Sequence, residues 1–408
     1  VLAASGDPQR RYPCVLIAGS NGKGSTSALL SSIAVAAGYR TGLYTSPHLE
    51  SVEERLRLDG RAIETDRLGD LLERIVATGE RVTGVPPTYF EALTLAAFLW
   101  FAEEEVDLAV VEVGLGGRLD ATNLCEPDLS LVTSISLEHQ EYLGDTLALI
   151  AREKAGIFRR GRPALAWVSD PEAEASLREV AAEVGAKLTF APERLRIEEV
   201  SPEPGGQRVR LTTPERRYDL QIHLAGAHQA RNLGLAILAA ELLEDRFGRI
   251  DAESIARGVA SCRWPGRLEE VMLPDGRRVL FDAAHNAEGV EALAAHLDLI
   301  GERPDLLFGV LQDKDAADML GHLAPRANRI VLTSPASARA RPPQEVTDLL
   351  GDREGVEVEP DRGRALDRAL ALGGELLVVC GSIYLIGEIR RELRERFGVP
   401  PAATEPLS

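Results

Sequence analysis

This sequence of 408 residues is short of long apolar runs, cysteine, aromatic residues and lysine, and each shortage excludes something. The longest apolar stretch, Ala92 to Ala102, falls well below the ~20 residues that a membrane-spanning helix needs. The four cysteines (Cys14, Cys125, Cys262, Cys380) stand far apart with no CxxC pair, which argues against a zinc site or a disulfide framework. The charged, proline-containing opening, Gly6 to Arg11, lacks the apolar core of a signal peptide. Positive charge is also outnumbered, with 46 basic residues against 64 acidic ones. A net charge of −18 argues against nucleic acid or an anionic membrane as partner, so any anionic ligand must meet local cations. Together these features describe a soluble cytoplasmic protein. Of 46 basic residues only four are lysine (Lys23, Lys154, Lys187, Lys314), so each lysine is a candidate for a place where a primary amine matters. Chance survival of a lysine is an equal reading for any one of them.

What is present is α/β alternation. The length suits two or three domains. Cys14 to Ala18 reads as a buried strand, Gly19 to Gly24 as a loop and Ser25 to Gly38 as a helix. Further strands are expected at Thr41–Tyr44, Leu108–Val113 and Leu129–Thr133, with helices near 65–78, 88–104 and 145–159. Short apolar strands between amphipathic helices predict a parallel sheet covered on both faces. Segment 188–224 alternates with period two around Gly205, Gly206 and Pro214, which predicts a small antiparallel patch. A second α/β alternation begins at Arg278–Asp282. Its strands are expected at about 305–310, 329–333 and 376–380, and its helices near 287–300, 316–324, 343–351, 362–372 and 384–397. Arg263 to Arg267, with Pro265-Gly266, lies between the two alternations and suits a turn between domains. The expected division is a P-loop NTPase-like domain over 1–263 and a Rossmann-like domain over 264–408, with a cleft between them.

Three strand ends carry polar groups. Gly19-Ser20-Asn21-Gly22-Lys23-Gly24-Ser25-Thr26 joins a strand to a helix. Its backbone N–H groups, the helix dipole and Lys23 suit phosphate oxygens, and a hydroxyl of Ser25 or Thr26 suits Mg²⁺. Its spacing departs from the usual P-loop, and a bare glycine turn is the plainer reading. Glu112 ends an apolar strand before the glycine-rich Gly114 to Gly117, a position where a carboxylate can meet Mg²⁺ beside a triphosphate. A surface glutamate is the alternative. His139 follows the third strand end, where a satisfied histidine is as good a reading as a ligand.

As a set, Ser20–Ser25, Tyr44–Leu49, Thr88–Glu91, Glu112–Asn123, Leu137–His139 with Leu143-Gly144, Arg152–Ile157, Pro265–Arg267, Phe281–Asn286 and Gly381–Tyr384 resemble bacterial folylpolyglutamate synthases. Those enzymes are often bifunctional with dihydrofolate synthase and belong to the wider Mur ligase family. The resemblance follows family order over nearly the whole chain. It implies an ATP-dependent ligase that joins L-glutamate to a folate, and dihydropteroate to glutamate where bifunctional, through an acyl phosphate. Its cofactors would be ATP and Mg²⁺, and it would act as a monomer with small-molecule partners only.

Residue by residue, the resemblance implies that Ser20, Asn21, Gly22, Lys23, Gly24 and Ser25 hold the ATP phosphates, with Asn232, Arg267 and Asp282 completing the nucleotide site. Ser46, Glu112 and His139 match Mg²⁺ ligands, joined by Ser25, and Lys154 matches a lysine that relatives carbamylate. Thr88, Tyr89, Phe90, Glu91, Leu119, Asp120 and Ala121 match the pteroate pocket, where Tyr89 and Phe90 would stack on a flat ring. His285 and Ser382 match positions beside the incoming glutamate. Lys23, Lys154, Asp282 and His285 are the expected catalytic set. The chain departs from the pattern at Glu138-His139-Gln140, where many relatives have Asp-His-Thr. It also has few residues ahead of Cys14, where relatives carry a helical segment that seats dihydropteroate, so this chain is expected to be a fragment or to build the pterin site differently. The sequence leaves two other readings open: a Mur-type ligase of cell-wall precursors, and a P-loop protein that binds ATP without ligating anything.

Overall fold

The computed structural model describes residues 1–401. Its first sheet contains β1 (Cys14–Ala18), β2 (Thr41–Tyr44), β3 (Leu56–Leu58), β4 (Arg61–Ala62), β5 (Leu108–Glu112), β6 (Leu129–Val132), β7 (Pro163–Ala166) and β8 (Lys187–Phe190). The order is β4-β3-β2-β5-β1-β6-β7-β8, parallel except where β3 and β4 add antiparallel at one edge. β1 and β5 are completely buried, as strands covered by helices on both faces must be. β1 lies between β5 and β6, with Ile17 level with Glu112 and Ala18 level with Val132. The loops leaving these three strands therefore open at one crevice, the place where parallel sheets bind ligands.

The helix after β1 runs Lys23–Ala36, so Lys23 and Gly24 belong to its first turn rather than to the loop expected from sequence. It packs under the helices Ala227–Leu243 and Ala252–Ser261. Neither of these was expected. The middle of Ala227–Leu243, Asn232 to Ala240, is buried on all sides, so the helix shows no one-sided apolar stripe. The antiparallel patch is a three-stranded sheet, β9 (Arg196–Glu203), β10 (Gly206–Thr212) and β11 (Arg217–Ile222), in the order β11-β10-β9. Residues 188–190, expected in that patch, belong to β8 of the large sheet.

The second sheet comprises β12 (Glu269–Met272), β13 (Arg278–Asp282), β14 (Asp305–Phe308), β15 (Ile330–Leu332), β16 (Val356–Val358) and β17 (Leu376–Cys380). The order is β12-β13-β17-β14-β15-β16, with only β12 antiparallel. Each half has its own apolar core. The halves meet where Leu49-Glu50 docks on the final helix, Ile383–Phe397. A Cβ at Gly387 would come 1.8 Å from Leu49 O, so this contact needs glycine. Among the described residues no helix is long and apolar enough to cross a membrane.

Candidate active site

The loop between β1 and its helix is fixed by what surrounds it. Gly19 has φ +151°, and a Cβ there would strike Thr133 Oγ1; Gly22 has φ +83°, and a Cβ there would strike Asn232 Oδ1. Ser20 Oγ accepts from the Ser136 amide at 2.9 Å, and the Asn21 amide donates to Ser134 Oγ at 2.9 Å, so the loop after β6 braces the glycine loop. Lys23 Nζ donates to Gly19 O (2.8 Å) and Ser20 O (3.1 Å). Asn21 reaches across the cleft to Asn286, which caps the helix Ala287–Ile300. The second half therefore closes on the glycine loop directly.

Around this loop lies a cavity of about 460 Å³. It gathers Ser20 to Ser25, Ser46, Glu112, His139, Lys154, Asn232, Arg267, Asp282 and His285. Residues as far apart in sequence as Lys23 and His285 thus share one enclosure. Glu112 is buried, its Oε2 accepting from the Ser46 amide at 3.2 Å. Burial raises its carboxyl to about 7 in spite of Lys23, the Ser46 amide and Arg267. Burial likewise raises Asp282 to about 6, against Arg267 and the amides of Leu268 and Ala284, which its two oxygens accept. Asp282 therefore shapes the Gly266–Leu268 turn as well as facing the cavity.

Lys154 and Glu138 form a buried ion pair at 2.8 Å. Burial lowers the lysine to about 8 against the pull of Glu138. Glu138 is held at about 2, because Lys154 and Lys23 outweigh its own burial. His285 is lowered to about 4 by burial, opposed by the Ala283 carbonyl against its Nδ1 at 2.8 Å. His139 is also lowered, by burial and by Lys314.

A second cavity of about 1080 Å³ is lined by Thr88, Phe90, Glu91, Leu119, Asp120 and Ala121. Tyr89, expected beside Phe90, does not line it. Successive helical residues point about 100° apart, and Tyr89 instead is 62% exposed, with Arg55 over its ring. Thr88 and Glu91 form a capping box at the start of the helix Tyr89–Glu103, so their first role is to begin that helix. Gly114 lacks a side chain because a Cβ there would lie 2.4 Å from the Phe90 ring. Asp120 accepts from the Leu115 and Thr122 amides and so holds the glycine turn in place. Val1, Leu2, Gln9 and Arg10 also line this cavity, so the stretch ahead of β1 takes part in it.

A third cavity, of about 350 Å³, joins the first two. It shares Ser46, His139, Arg267 and His285 with the first and Phe90, Leu115 and Asp120 with the second. Ser382 lines it with a buried hydroxyl that has no partner among the described residues. Arg55, Asp313, Lys314 and Arg339 line it too; the sequence pointed to Lys314 only as one of four scarce lysines and to the other three not at all. For Lys314 the signal was available: three of the four lysines line these cavities, and only Lys187 lies on the exposed surface.

Fold and cavities together define an ATP-dependent ligase of the Mur type: a P-loop sheet and a second α/β sheet closing over a three-part cleft. Residues 17–240 match the Mur ligase middle domain, and residues 266–383 match the glutamate ligase domain of Mur ligases. The chain is 34% identical over 404 residues to the dihydrofolate synthase/folylpolyglutamate synthase of Bacillus subtilis, covering 97% of this chain and 93% of that one. Escherichia coli FolC in complex with DHPP and ADP superposes with a TM-score of 0.84 at 30% identity, over 97% of this chain and 92% of that one. A bifunctional folylpolyglutamate synthase/dihydrofolate synthase with Mn, AMPPNP and L-glutamate bound gives 0.84 at 29% identity, over 96% and 92%. This chain belongs to the folylpolyglutamate synthase/dihydrofolate synthase family.

Proposed function

We propose that this chain joins L-glutamate to folates in an ATP-dependent reaction, extending tetrahydrofolate with glutamate and converting dihydropteroate to dihydrofolate with the same machinery. The observation that carries this reading is the chain of three cavities. A phosphate-binding loop opens on one end, an aromatic-lined cavity on the other, and a junction with His139, His285 and Ser382 lies between them. ATP, pteroate and glutamate need that order, because the folate carboxylate must reach both the γ-phosphate and the incoming amine.

In this reading the loop Ser20–Ser25 and Lys23 hold the phosphates, with Asn232, Arg267 and Asp282 completing the nucleotide site. The folate carboxylate attacks the γ-phosphorus and ADP leaves. The glutamate amino group then attacks the acyl phosphate, a proton leaves its nitrogen, and inorganic phosphate departs. Arg267 and Lys23 supply fixed positive charge where the phosphoryl charge spreads. His285, with Nδ1 bonded to Ala283 O, presents Nε2 as a neutral acceptor to the amine. Closure of the second half keeps water from the acyl phosphate.

Mg²⁺ would be held by Glu112, by the hydroxyls of Ser25 and Ser46, and by His139, with a carbamylated Lys154 as a further oxygen donor. No three His, Cys, Asp or Glu side chains among the described residues form a metal cluster. The fit rests on Glu112, buried with its Oε2 on the Ser46 amide and lining one cavity with Ser25, His139 and Lys154, and Mg²⁺ completes such a shell with phosphate oxygens and water. When bound, it neutralises phosphate charge. The cytoplasm is the proposed compartment, and four buried, unpaired cysteines suit its reducing conditions.

Incubation with ATP, Mg²⁺, glutamate and either tetrahydrofolate or dihydropteroate, followed by weighing the products, tests the proposal. The expected product gains one glutamyl residue, with phosphate released only when both acceptor and glutamate are present. Phosphate release without an acceptor, or no amide product from either folate, would overturn it.

A further inference from the structure

A fourth cavity, of about 350 Å³, shares no lining residue with the three described above. It is enclosed by the P-loop helix, by β3, by the helix Ala252–Ser261 and by the linker Cys262–Trp264 between the two sheets. Its charge is unusual for a chain of net −18: Arg57, Arg257 and Arg263 line it, against the single acid Asp59.

Arg57 is the telling residue. It sits in β3 with only 7% of its surface exposed, and its Nε donates to Glu54 O at 3.1 Å. No carboxylate among the described residues lies in salt-bridge contact with its guanidinium: Glu54 acts on it only at longer range, its oxygens taken by the Leu49, Glu50 and Ser51 amides, and the terminal nitrogens of Arg57 are not sealed from the cavity it lines. Asp59 lines the same cavity without an ion pair to Arg57, its Oδ1 held by the Thr41 amide at 2.7 Å. Arg257 pairs with Glu253, and Arg263 bonds the carbonyls of Ala260 and Cys262. A buried cation without a contacting anion is costly, and an apolar residue would serve β3 better. The Arg57 guanidinium carbon lies over the Trp264 ring at 5.3 Å, a contact that takes up none of its terminal N–H donors.

We propose that this cavity is a second ligand site, which takes a small oxyanion, a phosphate or carboxylate group, on Arg57 with support from Arg263. A guanidinium fork suits planar or tetrahedral oxyanions, and the volume admits a small metabolite rather than a macromolecule. Occupancy is felt at the P-loop. Trp264 lies against the first turn of the P-loop helix, where a Cβ at Gly24 would be 3.1 Å from its Nε1. A ligand that draws Arg57 away from Trp264 therefore acts on the linker and on the nucleotide loop together.

The test is calorimetric titration of the full chain with inorganic phosphate and, separately, with citrate, at matched ionic strength. Wild type, Lys23→Ala and Arg57→Met are compared, so that phosphate held by the P-loop is told apart from phosphate held behind it. The expected result is saturable binding of at least one anion in wild type and Lys23→Ala, weakened at least ~10-fold in Arg57→Met, the scale of one lost charge-assisted hydrogen bond. The anion that binds identifies the chemistry. Arg263→Ala, which leaves β3 untouched, should weaken the same signal several-fold and keep the wild-type melting temperature. Absence of saturable binding by either anion in Lys23→Ala, or binding unchanged by both arginine substitutions, would overturn the proposal.

Discussion

Glu50, on the loop after β2, is paired with Arg390 of the final helix, and both side chains are buried, at 4% and 2% exposure. Arg390 also meets Glu269 of β12 at 2.6 Å, and Arg394 completes the charge on Glu50. This cluster joins the two halves next to Gly387, where backbone and helix touch. Removing one partner of such a cluster strands its neighbours without water or counter-charge. Arg390→Met should therefore cost about 3–5 kcal/mol in denaturant unfolding. Glu50→Gln combined with Arg390→Met should cost less than the two single changes added together. A loss below ~1 kcal/mol for Arg390→Met would show that the cluster is not what fixes the halves.

Lys23 is the clearest single test of the phosphate loop. Its ammonium lies over the carbonyls of Gly19 and Ser20, where the loop curls around the phosphate position. Lys23→Ala should lower ligase turnover at least ~10²-fold, the scale of ~3 kcal/mol, and raise the nucleotide dissociation constant in a direct titration. Unchanged turnover would remove Lys23 from the mechanism.

The parts legible in the sequence were those whose physics is local. β1, the glycine loop and the strand ending at Glu112 stand out as apolar runs closed by glycine or charge, and the structure has them within a residue or two. The unassigned parts draw their stability from distant partners. Helix Ala227–Leu243 has no polar face along Leu233–Ala240, because the P-loop helix and its neighbours bury that stretch all round. β3 and β4, of three and two residues, are too short to show a period. Within the site, Tyr89 and Phe90 are indistinguishable in sequence, and only the rotation of the helix separates them. Arg55, Asp313 and Arg339 carry no local signature at all. Arg390 reads as one more cation in an arginine-rich helix, although it is the most buried charge in the interface.

Phe90 and Tyr89 now make opposite predictions. Phe90 lines both the large cavity and the junction, whereas Tyr89 faces outward under Arg55. Phe90→Ala should raise KM for the folate about 10-fold with a smaller effect on KM for ATP, and Tyr89→Ala should leave both within about 2-fold. Equal effects on folate KM would mean that the ring is bound elsewhere.

Asp282 provides a pH signature of stability. Its carboxyl is raised by burial from 3.8 to about 6 in the folded chain. A raised folded value means that the protonated form favours folding. That contribution is fully present below the unfolded value near 4 and is lost as pH rises through 6. Relative to Asp282→Asn, the wild type should lose up to ~3 kcal/mol of stability between pH 4 and 7. Other groups cancel in the difference. A difference that grows in the opposite direction would mean that Arg267 outweighs burial and keeps Asp282 ionised throughout.

Lys154 is the residue whose chemistry its surroundings constrain most tightly. As an ammonium it neutralises Glu138, and a protonated amine beside bound Mg²⁺ would repel the ion. Burial lowers the amine from its usual value to about 8, which brings the neutral form closer to physiological pH. The neutral nitrogen can attack CO₂. A new N–C bond forms, one C–O π pair moves to oxygen, and a proton leaves the nitrogen, which gives an anionic oxygen donor that arginine cannot become. The prediction is that wild-type ligase activity falls in CO₂-depleted buffer and returns on adding bicarbonate, with a carbamate signal in carbon NMR under labelled CO₂. Lys154→Arg should keep the charge facing Glu138, fold with a wild-type circular dichroism spectrum, and lose most activity at any CO₂ level. Full activity of Lys154→Arg, or wild-type turnover indifferent to CO₂, would leave the ion pair with Glu138 as the whole of its role.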